Sequence, residues 1–195
     1  MRVLLVYANP VPDSFGATLR DTAVATLTDA GHEIDLLDLY AERFDPVLSR
    51  EAHALHLAAP STKPEIEHHV VRLRWAEALV FVYPTWWSGQ PAMLKGWMDR
   101  VLVEGVAFTL PPGAKSIKPM LRHVRRLAVV TTHGSSKLVN AVQGESGKRV
   151  ILRGLRSLCH PLARSKWVAM YGVDDSTEED RLRFVERVER RLRKL

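Results

Sequence analysis

Five short apolar runs, separated by stretches of helical period, constrain what this chain can fold into more than any other feature. The runs are Arg2–Ala8, Glu33–Leu39, Ala78–Tyr83, Leu127–Thr132 and Lys166–Tyr171. Each is rich in Val, Leu and aromatic residues and too short for a globular helix. Unbroken rather than alternating hydrophobicity belongs to strands covered on both faces, as in a parallel sheet. The segments between them read as helices. Leu19, Ala23, Leu27 and Ala30 share a face, with Gly31 placed for a left-handed stop. Ile66, Val70 and Leu73 do the same behind Pro64. Pro91–Leu102 is the clearest, with Leu94, Trp97, Met98, Val101 and Leu102 in helical register. A helix after Gly147 turns Ile151, Leu155 and Leu158 inward. The last starts at the capping box Ser176-Thr177-Glu178-Glu179 and buries Leu182, Val185 and Leu192. This alternation predicts one three-layer α/β domain over residues 1–195, with a five-stranded parallel sheet in the order 2-1-3-4-5. Ligands of such sheets sit beyond the carboxyl ends of the strands. Three loops matter there: Asn9–Gly16, Pro84–Gln90 and His133–Lys137.

Composition narrows the class. With 46% hydrophobic and 26% charged residues the chain is globular, and no apolar run reaches the ~18–20 residues of a membrane span. Val3–Ala8 lacks a cationic leader and a cleavage site, so it reads as a first strand rather than a signal peptide. A lone cysteine, Cys159, excludes an internal disulfide and fits a cytoplasmic protein. The net charge of +6 raises nucleic acid as a partner. Yet the basic tail Arg181–Lys194 alternates with Glu186 and Glu189 at helical spacing, which describes a solvated helix face, and no nucleic-acid partner is expected.

Several signatures are missing. No G-x-G-x-x-G follows the first run and no G-x-S-x-G occurs. Gly144–Arg149 imitates a phosphate loop, but Val142 stands at its first glycine position and Arg149 replaces the magnesium-binding hydroxyl. What remains is in the three loops. Asn9-Pro10-Val11-Pro12-Asp13-Ser14-Phe15-Gly16 leads into a helix whose first amides suit a phosphate, although Asp13 or Ser14 serves equally as a simple cap. Pro84-Thr85-Trp86-Trp87-Ser88-Gly89-Gln90-Pro91 offers aromatic faces for a flat heteroaromatic ring, or else fills a packing seam. Thr131-Thr132-His133-Gly134 supplies small side chains, accessible amides and close backbone approach, suited to developing negative charge.

Ser14-Phe15, Asp38-Leu39-Tyr40-Ala41, Phe44-Asp45-Pro46, the block Pro84–Trp97 and Thr131-Thr132-His133-Gly134 are collinear with, and together resemble, the NAD(P)H:quinone oxidoreductases. This is the flavodoxin-like group that includes the modulator-of-drug-activity B type proteins. The resemblance runs from Arg2 to the final helix and implies a homodimer with non-covalent FAD, alternatively FMN, at its interface. NAD(P)H would be the hydride donor and a quinone-like compound the acceptor. By position, Asn9, Asp13, Ser14, Phe15 and Thr18 would contact the phosphate and ribityl region of the flavin. Pro84, Thr85, Trp86, Trp87 and Ser88 would hold the isoalloxazine, and Thr131, Thr132, His133 and Gly134 its pyrimidine edge. Trp87 and Phe108 would line the substrate pocket, Phe108 that of the partner, and His133 and Gly134 would serve catalysis.

The chain departs from the family at Asn9, where a histidine is usual, and at Val139 and Glu145, where relatives carry a Tyr and a His that offset charge. His133 is the candidate replacement. Two other classes fit the same fold: a flavodoxin-type electron carrier, and a redox-responsive regulatory subunit of a membrane transporter. His53, His56, His68 and His69 are set aside as metal ligands because the pairs fall on different predicted elements, and no metal is expected. Cys159 reads as a small core residue.

Overall fold

The computed structural model describes residues 1–54 and 64–195. In chain order its elements are β1 (Arg2–Tyr7), α1 (Phe15–Asp29), β2 (Glu33–Asp38), α2 (Arg50–Ala54), α3 (Glu67–Trp75), β3 (Ala78–Pro84) and α4 (Ala92–Val101). There follow β4 (Phe108–Thr109), β5 (Lys118–Pro119), β6 (Arg126–His133), α5 (Lys137–Val142), α6 (Ser146–Arg149), a π turn (Val150–Leu155), α7 (Arg156–Leu158), β7 (Arg164–Tyr171) and α8 (Glu178–Leu192). Five strands form one parallel sheet in the order β2-β1-β3-β6-β7, the expected 2-1-3-4-5 topology.

Why the runs are unbroken is visible in the packing. Leu4, Val6, Leu79, Phe81, Leu127 and Val129 point to one side of the sheet, where α3, α4 and the 146–158 segment cover them. Val3, Leu5, Val80, Val82, Ala128 and Val130 point to the other, under α1 and α8. Successive side chains alternate across a strand, so a strand with helices on both sides needs an apolar residue at every position.

Helix α1 buries Leu19, Ala23 and Leu27 and ends as its sequence indicates. Gly31 has φ 77°, and the bonds from Gly31 N to Thr28 O (2.9 Å) and His32 N to Leu27 O (3.1 Å) complete a Schellman stop. Three expectations are corrected. The capping box of α8 is Thr177 with Asp180, one residue beyond Ser176 with Glu179. Its inward face is therefore Phe184, Val188 and Leu192, while Leu182 is exposed. Phe184 decides the register, because it is the largest apolar side chain available and it packs 6.3 Å from Phe15. The helix after Gly147 is interrupted by the π turn, and the small antiparallel pair β4–β5 was not foreseen. Among the described residues no helix is long and apolar enough to cross a membrane.

Candidate functional site

Strand β3 ends at Pro84, and the bond from Thr85 N to Thr132 O (2.7 Å) carries its pairing with β6 one residue further. The chain then reverses in a tight turn. Trp86 N bonds Gly89 O at 3.2 Å and Gly89 N bonds Trp86 O at 3.0 Å. Both central residues lie in the left-handed region, Trp87 at φ 48° and Ser88 at φ 61°. This is the I′ geometry that normally selects Asn-Gly, and each non-glycine residue held there costs roughly 1–2 kcal/mol. Bonds from elsewhere hold it. Ser88 Oγ donates to Gln143 Oε1 (2.5 Å), Ser146 Oγ and Gly147 N donate to Ser88 O (2.6 and 3.0 Å), and Gln90 Nε2 donates to Gly147 O (2.7 Å). The result is a Trp87 ring fully exposed to solvent and a Trp86 ring 43% exposed. Neither fills the space that opens beside them.

That space is a cleft of about 550 Å³. Six of the expected residues line it: Thr85, Trp86, Trp87, Ser88, His133 and Gly134. Pro84, Thr131 and Thr132 lie beneath, at the paired ends of β3 and β6, with Thr131 wholly buried and its Oγ1 2.9 Å from Thr85 Oγ1. Ser135, from the same His133–Lys137 loop, lines it too, and three further lining residues were not anticipated: Asn140, Gln143 and Asp174. Asp174 follows the fifth strand in sheet order, whose carboxyl end reaches the same edge, so the topology itself was the available signal. It also explains Gly134, since a Cβ there would lie 2.4 Å from Asp174 Oδ2.

His133 is the buried centre of the cleft floor. Asn140 Nδ2 donates to the carbonyls of Ser135 (3.2 Å) and Ser136 (2.9 Å), which fixes the amide and leaves its Oδ1 as an acceptor. His133 Nδ1 lies 2.7 Å from that oxygen and must carry the hydrogen. Nε2 is then the acceptor, 3.4 Å from Thr85 Oγ1. Burial lowers the imidazole from its ordinary range, against the bond to Asn140 and the charge of Glu145, so the ring is neutral near pH 7. Its face stacks on Tyr171 at 4.5 Å and 20°. Tyr171 Oη donates to Glu145 Oε1 (3.1 Å), and Lys148 Nζ donates to Glu145 Oε2 (2.7 Å). Lys148 first, then Tyr171, holds the Glu145 carboxyl below the usual range. A tyrosine thus stands against this histidine although it comes from β7, far away in sequence.

The turn after β1 is of another kind. Asn9 Nδ2 donates to Ser14 Oγ (3.0 Å), Val11 N to Asn9 Oδ1 (3.0 Å), Ser14 Oγ to Val11 O (2.9 Å) and Ala17 N to Ser14 Oγ (3.3 Å). Ser14 is the cap of α1, and Asn9 braces it. The first helical amides, of Phe15 and Gly16, have no intrahelical acceptor. Asp13 and Thr18 are exposed, while the Phe15 ring turns to Phe184 with the Arg181 guanidinium 5.7 Å above it. Phe108 sits in β4, half-buried against the core and outside the cleft of its own chain.

Of the residues set aside, Cys159 is buried, and burial pushes its thiol up to about 11, which keeps it protonated. His56 lies outside the described residues. His68 and His69 both lie on α3, near Glu42.

A profile of the family described as flavodoxin-like fold matches residues 1–194. The ribosyldihydronicotinamide dehydrogenase (quinone) of Mus musculus is 31% identical, over 92% of this chain and 85% of its own length. The protein of that name from Pongo abelii is 31% identical over 70% of this chain and 65% of its own length, so the chain spans less than two thirds of it. Among solved structures, the NAD(P)H:quinone oxidoreductase from Methanothermobacter marburgensis superposes with a TM-score of 0.84 at 25% identity, covering 99% of this chain and 96% of that one.

Proposed function

Because the chain belongs to the flavodoxin-like fold family, we propose that it is a single-domain, cytoplasmic, flavin-dependent oxidoreductase that transfers hydride from NAD(P)H to a quinone-like acceptor. FAD is the favoured cofactor and FMN the alternative, held at the interface of a homodimer. The names of the relatives in mouse and Methanothermobacter support the reaction class. The observation that carries the reading is the strained turn that leaves Trp87 exposed beside a cleft floored by a neutral, fully oriented histidine.

The donor set suits a flavin. A flat tricycle needs an apolar face along its flank and hydrogen-bonding groups at its polar edge. Trp87 offers the first, and Thr85, His133 and the backbone at Gly134 the second. A flavin bound there would supply the two-electron redox chemistry that no side chain of this chain provides. The residues around it do the rest. The amides of Phe15 and Gly16 would receive a phosphate at the start of α1. His133 Nε2, the acceptor at rest, would take up a proton when negative charge gathers at the cleft floor. Asn140 Oδ1 would steady the resulting imidazolium through Nδ1–H, with the Glu145 carboxylate behind Tyr171. Val139 and Glu145 stand where relatives carry a charge-offsetting pair, and His133 against Tyr171 supplies a comparable one from different strands.

The test is direct. Purified protein should be yellow or become so with added FAD, release an intact flavin identifiable by mass, and oxidise NADPH in the presence of menadione. Colourless protein that takes up neither flavin and leaves NADPH untouched would overturn the proposal. Flavin binding with negligible NADPH oxidation would favour an electron carrier instead.

A further inference from the structure

On the side of the sheet covered by α3, the turn after β2 brings Glu42 to His68 and His69, with one donor atom of each within 4.8 Å of the others. We propose that these three residues form a binding site for a divalent transition metal of the zinc class, with two imidazoles and one carboxylate as protein ligands and water completing the shell. The site lies outside the redox cleft, and the proposal does not depend on that activity.

His69 carries the argument. Its residue is only 2% exposed, and its Nδ1 is buried with no hydrogen-bond partner among the described residues. Buried polar atoms in native structures are nearly always satisfied, and an exception calls for a missing partner. The ring cannot swing out to find one, because it packs edge-on to Phe44 at 4.9 Å and lies 3.7 Å from the His68 ring.

The carboxylate is oriented as well. Arg72 grips Asp35 with two bonds (2.6 and 2.8 Å) and holds Glu42 Oε1 at 2.7 Å, which leaves Glu42 Oε2 facing His68 Nε2 at 3.7 Å. An outer partner that fixes the ligand's direction is what metal sites use. The two arginines beside the cluster are each paired with carboxylates, Arg72 with Asp35 and Glu42, and Arg100 with Asp45 and Glu65. Tetrahedral donors at about 2.0–2.1 Å from zinc lie roughly 3.4 Å apart. Closing the cluster to that spacing needs small rotations of His68 and Glu42, whose side chains are 57% and 32% exposed, about the immobile His69. Two imidazoles among three ligands select zinc, cobalt, nickel or copper over magnesium and calcium.

Equilibrium dialysis of the untagged chain against zinc, paired with cobalt(II) absorption spectra, tests this. We expect one saturable equivalent, visible bands of a low-symmetry cobalt site, and a melting midpoint raised by roughly 5–10 °C at a hundredfold excess over Kd. H68A removes an exposed ring and should lower affinity at least about tenfold, as should E42Q, while H53A leaves it unchanged. No saturable zinc binding, or binding that survives both H68A and E42Q, overturns the site.

Discussion

The turns that leave β1 and β3 stand at neighbouring strand ends and are built in opposite ways. After β1, Asn9 and Ser14 close a ring of bonds among themselves and the local backbone, and neither side chain is left over. After β3, two residues hold unfavourable backbone angles, and the largest side chain of the turn faces solvent. The first turn is a self-sufficient cap that offers a ligand only its backbone amides. The second offers a side chain on unfavourable backbone angles that bonds with Gln143, Ser146 and Gly147 hold in place, and such strain clusters at functional sites.

Replacing Trp87 with Gly should split stability from binding. Glycine takes φ above zero without a Cβ clash, so the flavin-free variant should gain about 1 kcal/mol and melt a few degrees higher. Its affinity for flavin should fall at least about tenfold, the loss of one stacked aromatic face. Melting curves with and without FAD measure both signs at once, and a variant that loses stability would mean the turn is not strained. Ser14→Ala should act the other way. Loss of the cap should lower stability by about 1–2 kcal/mol, or roughly 2–8 °C, and disturb flavin affinity less than the Trp87 change does. A larger loss of affinity at Ser14 would erase the distinction between the two turns.

The β3 turn also rests on a histidine, which the β1 turn lacks. Thr85 touches His133, whose pKa is lowered by burial. As pH falls through about 6.5, the unfolded chain takes up a proton that the folded chain does not, so stability is complete above that pH and declines on acidification. His69 contributes with the same sign over the window from about 6.5 down to about 4. Urea midpoints between neutral and mildly acid pH should therefore fall, and His133→Gln should flatten part of that slope while leaving the His69 part. An unchanged slope in the variant would show that folding does not shift the protonation of His133.

How legible the molecule was follows from how local each signal is. The five strands were readable because burial on both faces forces apolar residues at every position, as in Leu79-Val80-Phe81-Val82. The inward face of α8 was misread because Ser176/Glu179 and Thr177/Asp180 are both plausible boxes one residue apart, and only the distant Phe15 chooses between them. Strands β4 and β5 have two residues each, too few for any period. Residues flanking a strand end in sequence, such as Thr85 and Gly134, were named from the sequence and line the cleft. Asn140, Asp174 and the stacked Tyr171 were not, because their relation to His133 exists only after β6 and β7 pair and α5 folds back over them.

The smallest expected effect separates the two turns most finely. Asp13 is exposed and directly precedes the cap of α1, so a phosphate on the amides of Phe15 and Gly16 would feel its negative charge through water. Such a pair at the surface is worth about 1 kcal/mol or less and is screened by salt. Asp13→Asn should therefore tighten FAD binding only about two- to fivefold at low salt, and the gain should shrink as ionic strength rises. Riboflavin, which carries the same tricycle without phosphate, should bind the variant and the parent alike. The Trp87→Gly change should instead weaken riboflavin and FAD by similar factors, because it acts on the ring. If Asp13→Asn altered riboflavin as much as FAD, the phosphate would not lie at the β1 turn, and the assignment of amides to one turn and aromatic surface to the other would fail.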